Sequence, residues 1–245
     1  MGLLGRYTFQ LQPQDGDFME QLFAYSLGDY ILQAAGKNAD DNGFGVRELN
    51  RENYTWVLIR MGTEILQMPT IYQQITIETW IESIRFASTT RNFTVRNEQN
   101  EPIGYATTNW AMIDVETRKP VDLAKLPSLT HYIGGNPIPV ESTVKLPSVD
   151  GTPINRHKVQ YSDIDFNRHV NSMKYLQWVL NEYSIDWFAE HAIKRFDINF
   201  LHEALYGEEV MLFRHAKEDK DQFQISRFVD EEPLCKVQIK WKKNE

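Results

Sequence analysis

The stretch "YSDIDFNRHVNSMKYLQWVLNE" (residues 161–182) places three polar side chains at alternate positions, directly before an apolar pattern with helical spacing. These side chains belong to Asp165, Asn167 and His169. If the approach to the helix is extended, alternate side chains share one face, so an acid, an amide and an imidazole point the same way. Such a group is either a turn and cap before a helix, with Asn171 as a natural N-cap, or half of an active site.

The residues after this motif predict one helix followed by a sheet. Residues 172–190 carry an apolar stripe at helical spacing, formed by Leu176, Val179, Leu180, Tyr183 and Trp187. Segments rich in β-branched and aromatic residues then predict four strands. These strands are expected at 195–201, 208–216, 221–229 and 234–242.

The first half of the chain repeats this order. Residues 20–35 predict a helix with its apolar face at Phe23, Leu27 and Ile31, and Gly36 is its expected stop. Strands are predicted at 54–61, 74–86, 88–97 and 102–115. A duplicated α+β unit, each copy a long helix and an antiparallel sheet, is the economical interpretation.

Prolines mark the boundary between the halves. Six of the ten prolines fall between Pro120 and Pro153, which predicts a connector with little regular structure. We therefore expect an N-terminal unit at 1–125, a connector at 126–153 and a C-terminal unit at 154–245.

Composition excludes several functional classes. The formal net charge is -8 and the pI is about 5.3, which argues against a nucleic-acid binder. No stretch of apolar residues is long enough to span a membrane. The single cysteine, Cys235, excludes an intrachain disulfide and a cysteine-based metal cluster, and it is compatible with the cytoplasm. No metal-ligand cluster or phosphate-binding loop stands out, so we expect no cofactor.

The motif "DIDFNRHVNSMKYLQW" resembles a signature of the acyl-acyl-carrier-protein (acyl-ACP) thioesterases, which include the plant FatA and FatB enzymes and bacterial relatives. "INFLHEALYGEEV" resembles the second active-site segment of that family. In the first half, "MPTIYQQITIETWIESIRFASTTRNFTVRN" and "YATTNWAMIDVETRKP" resemble two further family stretches. The resemblance covers most of the chain in order. It implies a tandem (double) hotdog fold, in which each half is a sheet wrapped around a long helix.

The chain departs from the plant pattern in two ways. Plant members often carry cysteine directly after the downstream glutamate, and Ala204 stands at that place here. A cysteine nucleophile is therefore excluded at this site, and Glu203 remains as the residue that handles water. The chain also starts almost at its first unit, so it resembles a bacterial rather than a plastid-imported member.

The resemblance implies four catalytic residues in the second unit. Hydrolysis of a thioester needs an activated water and a stabilised oxyanion. Glu203 is expected to act as general base if partial burial raises its pKa, and His169 to share its proton and protonate the leaving thiolate. Asn167 would hold water or the carbonyl oxygen, and Asp165 would orient His169 or Asn167. The N-terminus of the following helix would assist the oxyanion.

The histidine positions support this division of labour. No histidine lies in the first 130 residues, so a reaction that requires histidine is assigned to the second unit. The first unit is then left for the acyl chain. Large apolar residues there are the candidates to line its tunnel: Trp56, Met61, Ile65, Met68, Trp80 and Trp110.

The expected partner is an acidic acyl carrier protein, which needs a basic docking site. Four cations near the motif are the candidates: Arg168, Lys174, Lys194 and Arg195. Two alternatives remain open, a hotdog acyl-CoA thioesterase and a non-catalytic acyl-binding hotdog protein. A monomer and a homodimer of tandem units are both open as well.

Overall fold

The chain divides into two units, Met1–Thr143 and Val144–Glu245. The computed structural model describes residues 4–125, 127–134, 137–217 and 220–244. The connector prediction for 126–153 therefore lies partly outside the described residues. Residues 141–150 are all described, and they form no helix or strand.

Unit 1 is an antiparallel sheet packed against a long helix. Its elements are β1 (Gly5–Gln10), α1 (Ala24–Asp41), α2 (Val46–Arg51), β2 (Tyr54–Ile65), β3 (Gln74–Arg85), β4 (Ser88–Arg96) and β5 (Pro102–Asp114). The strands lie in the order β1-β3-β4-β5-β2. Adjacent strands in this order are antiparallel.

Helix α1 covers one face of that sheet. Leu27 and Ile31, two members of the predicted apolar face, are buried. Arg91 in β4 is also buried, and its guanidinium donates a hydrogen bond of 2.7 Å to the Oδ1 atom of Asn38 in α1. This bond fixes which face of the sheet looks toward the helix.

The predicted stop of α1 at Gly36 was wrong. The helix continues to Asp41, and the backbone N–H of Asn42 ends it by donating to Ala39 and Asp40. Gly36 is exposed and has open space around it, so its only disadvantage there is its low helix propensity. Strand β1 and helix α2 were not predicted.

Unit 2 has the same α+β organisation with a shorter helix. Its elements are β6 (Asn155–Lys158), α3 (Ser172–Leu180), α4 (Ile185–Glu190), β7 (His191–Phe200), β8 (Glu209–Ala216), β9 (Lys220–Arg227) and β10 (Pro233–Lys243). The strands lie in the order β7-β10-β9-β8-β6, again with antiparallel neighbours.

The single helix predicted over 172–190 is in fact two short helices. α3 ends at Leu180, and Ser184 begins α4 by accepting a hydrogen bond of 3.2 Å from the backbone N–H of Trp187. The apolar stripe continues across this break because Tyr183 and Trp187 both pack against Trp241 of β10. Periodicity alone therefore did not reveal the interruption.

The face of the unit 2 sheet that looks away from α3 is polar and yet buried. Asn199, Gln224 and Lys236 lie on this face, and each is less than a tenth exposed. Residues 144–150 cross it and supply hydrogen-bond partners. The backbone N–H groups of Leu146 and Val149 donate to Asn199 and Gln224, at 2.8 and 3.3 Å.

Two further bonds complete this cover. Nζ of Lys236 donates to the hydroxyl of Ser148 at 3.0 Å, and Nδ2 of Asn199 donates to the carbonyl of Val144 at 3.0 Å. Burial lowers the pKa of Lys236, with a further contribution from the charge of Lys145.

The structure confirms the α+β class and the repeated unit of a sheet packed on a helix. Among the described helices, none has both the length and the apolar character that crossing a membrane requires.

Candidate active site

The segment 161–171 folds as a tight loop in front of α3. Ile164 and Val170 form a β-bridge across it, and the backbone N–H of Asp165 donates to the carbonyl of His169 at 2.8 Å. Arg168 adopts a left-handed backbone with φ of 67°. A non-glycine residue rarely adopts this conformation, and here the two ends of the loop hold it in place.

The approach to the helix is therefore not extended. Asp165 does not lie beside Asn167 and His169 on one face of a strand, because the chain turns between them. Its carboxylate Oδ1 instead accepts hydrogen bonds from the backbone N–H groups of Asn167 at 2.8 Å and His169 at 3.4 Å. Aspartate commonly stabilises turns in this way.

The segment after β7 brings Glu203 to this loop. The backbone N–H of Val170 donates to the carbonyl of Ala204 at 3.0 Å, and His169 forms a β-bridge with Leu205. This short pairing aligns the two segments. It places Nε2 of His169 3.3 Å from Oε2 of Glu203.

The His169–Glu203 pair is accessible as well as close. The His169 side chain is 30% exposed and the Glu203 side chain 40% exposed, so a substrate and water can reach both. Asn167 is exposed on the same loop. An acid, an imidazole and an amide in such an arrangement can move protons and hold an oxygen atom.

Two of the first backbone N–H groups of helix α3 have partners at the N-cap residue. Asn171 is the N-cap, as its position suggested, and its side-chain oxygen accepts from the backbone N–H of Met173 at 2.8 Å. The N–H of Lys174 donates to the carbonyl of Asn171 at 3.0 Å. Both donors are therefore already used within the helix.

Three supporting residues were missed by sequence reasoning. Tyr175 of α3 is buried and its phenol bonds to the backbone of Ala204; burial raises the pKa of Tyr175. A guanidinium N–H of Arg227 donates to the carbonyl of Glu203 at 3.3 Å, and Glu208 accepts from the N–H of Leu205 at 2.9 Å. The apolar stripe of the helix offered a signal for Tyr175, whereas no local pattern singles out Arg227.

Among the four candidate docking cations, the prediction was wrong for Arg195. Its side chain is 4% exposed and its guanidinium bonds to the carboxylate of Asp197 at 2.6 Å. Arg168 and Lys194 are exposed, and Lys174 is half-buried with Nζ 2.9 Å from Oε1 of Gln177.

The candidate tunnel residues of unit 1 do not all share one surface. The strand register places Trp56, Met61, Ile65 and Trp110 on the face that carries Arg91 and looks toward α1. Trp80 pairs with Asn92 and so lies on the opposite face. Met68 follows β2 in a loop and is half-buried.

Cys235 is fully buried in the unit 2 sheet, near the start of β10, which lies between β7 and β9. Burial raises the pKa of its thiol well above the usual range. A buried neutral thiol is a poor nucleophile, which agrees with its exclusion from the site chemistry.

Comparison with known families identifies both halves of the chain. Residues 2–126 match the model of the acyl-ACP thioesterase N-terminal domain, and residues 148–243 match that of the acyl-ACP thioesterase C-terminal domain.

Solved structures and a plant sequence agree with these matches. A crystal structure of an acyl-ACP thioesterase from Bacteroides thetaiotaomicron is 33% identical, with a TM-score of 0.92 over 98% of each chain. The 12:0-ACP thioesterase from Umbellularia californica is 18% identical and shares the fold, with a TM-score of 0.87 over 100% of this chain and 99% of that one. These likenesses confirm the tandem hotdog fold.

The chloroplastic palmitoyl-acyl carrier protein thioesterase of Gossypium hirsutum is 26% identical over 173 residues, 66% of this chain. This alignment spans only 41% of the length of the plant protein.

Proposed function

Since the chain belongs to the acyl-ACP thioesterase family, we propose that it hydrolyses the thioester of fatty acyl-ACP to free fatty acid and holo-ACP. The single observation that supports this most directly is the contact of 3.3 Å between Nε2 of His169 and Oε2 of Glu203. The pair lies on two of the four segments that carry the family resemblance, and both side chains are partly exposed to solvent. The reaction would release acyl chains from the carrier and so end fatty-acid elongation.

The roles follow from the positions of the groups. Glu203 accepts a proton from water as the water oxygen bonds to the thioester carbon. The amide of Asn167 donates to the oxygen that becomes negative. The carbon–sulfur bond then breaks, and protonated His169 gives its proton to the leaving thiolate. A proton transfer from Glu203 to His169 across their contact returns both groups to their starting state.

The acyl carrier protein is the proposed partner, and Arg168, Lys174 and Lys194 are its proposed contacts. Arg168 and Lys194 are exposed, as a docking residue for an acidic protein must be. Reversing the charge of Arg168 or Lys194 should raise KM for acyl-ACP severalfold, and salt should reduce the difference. KM for acyl-CoA should stay the same. An equal rise in KM for acyl-ACP and acyl-CoA would show that these cations do not contact the carrier protein.

The acyl chain is proposed to contact the α1-facing residues of unit 1. Met61 and Ile65 are buried on this face. Enlarging the space there, by Met61→Ala or Ile65→Ala, should shift the preferred chain length, since pocket depth limits the chain that fits. Trp80→Phe, on the opposite face, should not shift it. An unchanged chain-length profile in both alanine variants would place the acyl chain elsewhere.

We also propose that the reaction takes place in the cytoplasm. A buried, reduced cysteine is compatible with a reducing compartment.

The decisive experiment is the release of free thiol by the purified protein from acyl-ACP and matched acyl-CoA, with medium and long acyl chains. Turnover on acyl-ACP should fall by about a hundredfold or more in His169→Ala and in Glu203→Ala. His202→Ala is the matched control, because His202 is adjacent to Glu203 but its ring contacts Glu232 at 3.4 Å. This variant should keep its activity.

The other outcomes would favour the two alternative functions. Faster turnover on acyl-CoA would favour the CoA thioesterase. No turnover on either carrier would reject the enzyme and leave an acyl-binding protein.

A further inference from the structure

Unit 1 contains a loop that repeats the backbone of the active-site loop. In unit 2 the N–H of Asp165 donates to the carbonyl of His169 at 2.8 Å; in unit 1 the N–H of Asp17 donates to the carbonyl of Gln21 at 2.7 Å. Arg168 is left-handed with φ of 67°, and Glu20 has φ of 62°. These bonds and angles make Asp17 the counterpart of Asp165.

The flanks of the two loops also correspond. Each loop follows a short 3-10 turn, Pro13–Asp15 in unit 1 and Tyr161–Asp163 in unit 2. After the loop, the N–H of Leu22 donates to the carbonyl of Pro69 at 2.8 Å, as that of Val170 does to Ala204 at 3.0 Å.

This alignment gives each active-site residue a counterpart in unit 1. Asn167 corresponds to Met19 and His169 to Gln21. Since Pro69 corresponds to Ala204, the counterpart of Glu203 is Met68. The two groups proposed to move protons and the amide proposed to hold the oxyanion are therefore all replaced in unit 1, and two of the three replacements are apolar.

Of the four active-site residues, only the aspartate is retained in unit 1, and its carboxylate accepts the same two backbone hydrogen bonds. Oδ1 of Asp17 accepts from the backbone N–H groups of Met19 at 2.8 Å and Gln21 at 3.0 Å. Oδ1 of Asp165 accepts from those of Asn167 and His169. A carboxylate that is kept where the reacting groups are absent has a use other than proton transfer.

We propose that Asp165 is a positioning residue, whose side-chain oxygen holds the backbone of Asn167 and His169 so that their side chains face Glu203. It does not itself exchange protons with the substrate or with His169. This inference rests on the proposed function. It makes the orienting role that the resemblance implied specific, since Asp165 would act through the backbone of both residues.

Two substitutions at this position separate the roles. Asparagine keeps an oxygen acceptor for the two amides but cannot act as an acid or base at this site. Asp165→Asn should keep kcat within about threefold, with an unchanged pH profile, because the hydrogen bonds are retained. Asp165→Ala should lower kcat by about tenfold or more, with little change in KM, because the loop is no longer held.

Hydrogen exchange of individual amides gives a readout independent of activity. Protection of the Asn167 and His169 amides should persist in Asp165→Asn and fall in Asp165→Ala. Asp17→Ala should likewise expose the amides of Met19 and Gln21 while leaving turnover intact. Circular dichroism checks that each variant is folded.

Two outcomes would overturn the proposal. The first is loss of turnover in Asp165→Asn with both amides still protected, which would make the carboxylate a reacting group. The second is full protection of the amides in Asp165→Ala, which would show that it does not hold the loop. If the wild-type protein shows no turnover, the proposed function fails, whereas the amide measurement still decides whether Asp165 holds the loop.

Discussion

His169 and Glu203 come from separate segments of unit 2, and Nε2 of the one lies 3.3 Å from Oε2 of the other. Two groups that act as one proton-transfer unit should show strongly non-additive losses. The double variant His169→Ala/Glu203→Ala should therefore be no more than about tenfold slower than the worse single variant. The measurement is kcat on acyl-ACP for the wild-type protein, the two single variants and the double variant. Losses that simply multiply would show that no proton passes between the two residues across this contact.

Loss of the α3 cap should reduce both stability and activity. Asn171 and Ser184 each cap a helix through one side-chain bond to a backbone N–H. Replacing either by alanine should lower the free energy of unfolding by about 1 kcal/mol. Only Asn171→Ala should also lower kcat, because α3 follows the active-site loop directly. Urea unfolding and steady-state kinetics measure the two effects. Equal kcat values for the two variants would show that the cap of α3 does not influence the active site.

The stability of unit 1 should depend on a buried carboxylate. Burial raises the pKa of Glu78, but hydrogen bonds from Arg6 and Arg96 outweigh this, so the pKa lies below its ordinary value. The resulting stabilisation is present above the unfolded-state pKa of about 4.3 and is lost as the pH falls through the lower folded-state value. Glu78→Gln should therefore lower the free energy of unfolding by about 1–3 kcal/mol at neutral pH, and less in acid.

Urea unfolding at a series of pH values tests this prediction. Glu48→Gln is the matched control, because Glu48 is 44% exposed and lies 3.9 Å from Arg51. A pair of this kind contributes about 1 kcal/mol at most. A loss in Glu78→Gln that does not change with pH would mean that the charge of Glu78 is not what stabilises the fold.

The buried thiol should be dispensable for the reaction. Cys235→Ala should keep kcat within about twofold, because the neutral thiol is enclosed in the sheet and is not positioned as a nucleophile. Iodoacetamide should label the wild-type protein only after unfolding. Inactivation of the folded enzyme by iodoacetamide, absent in the alanine variant, would contradict this.

Sequence patterns located the central strands well and the edges poorly. The predicted strands at 74–86 and 102–115 are found at Gln74–Arg85 and Pro102–Asp114, since β-branched residues in such runs favour strands. The edge strands β1 and β6 were missed. They are short, and Gly5–Gln10 and Asn155–Lys158 carry too few buried residues to show a strong pattern.

The candidate site depended on information that periodicity does not contain. Spacing selected Asp165, Asn167 and His169, but the placement of Glu203 beside His169 came from the family resemblance. Neither gave the turn at Arg168, which depends on hydrogen bonds across the loop. Arg195 was wrongly predicted as a docking residue because the sequence alone does not show whether a cationic side chain is buried.

The hydrogen bonds that residues 144–149 make with the polar face of the unit 2 sheet determine where the chain can be divided. A fragment that starts at residue 154 would leave Asn199, Gln224 and Lys236 without the partners they have at 144–149. Buried polar groups that lose their partners are costly, so such a fragment should fold less well than one starting at residue 144. Any recombination of this unit with a different first half should therefore exchange these residues together with the sheet they cover, rather than treat them as a replaceable linker.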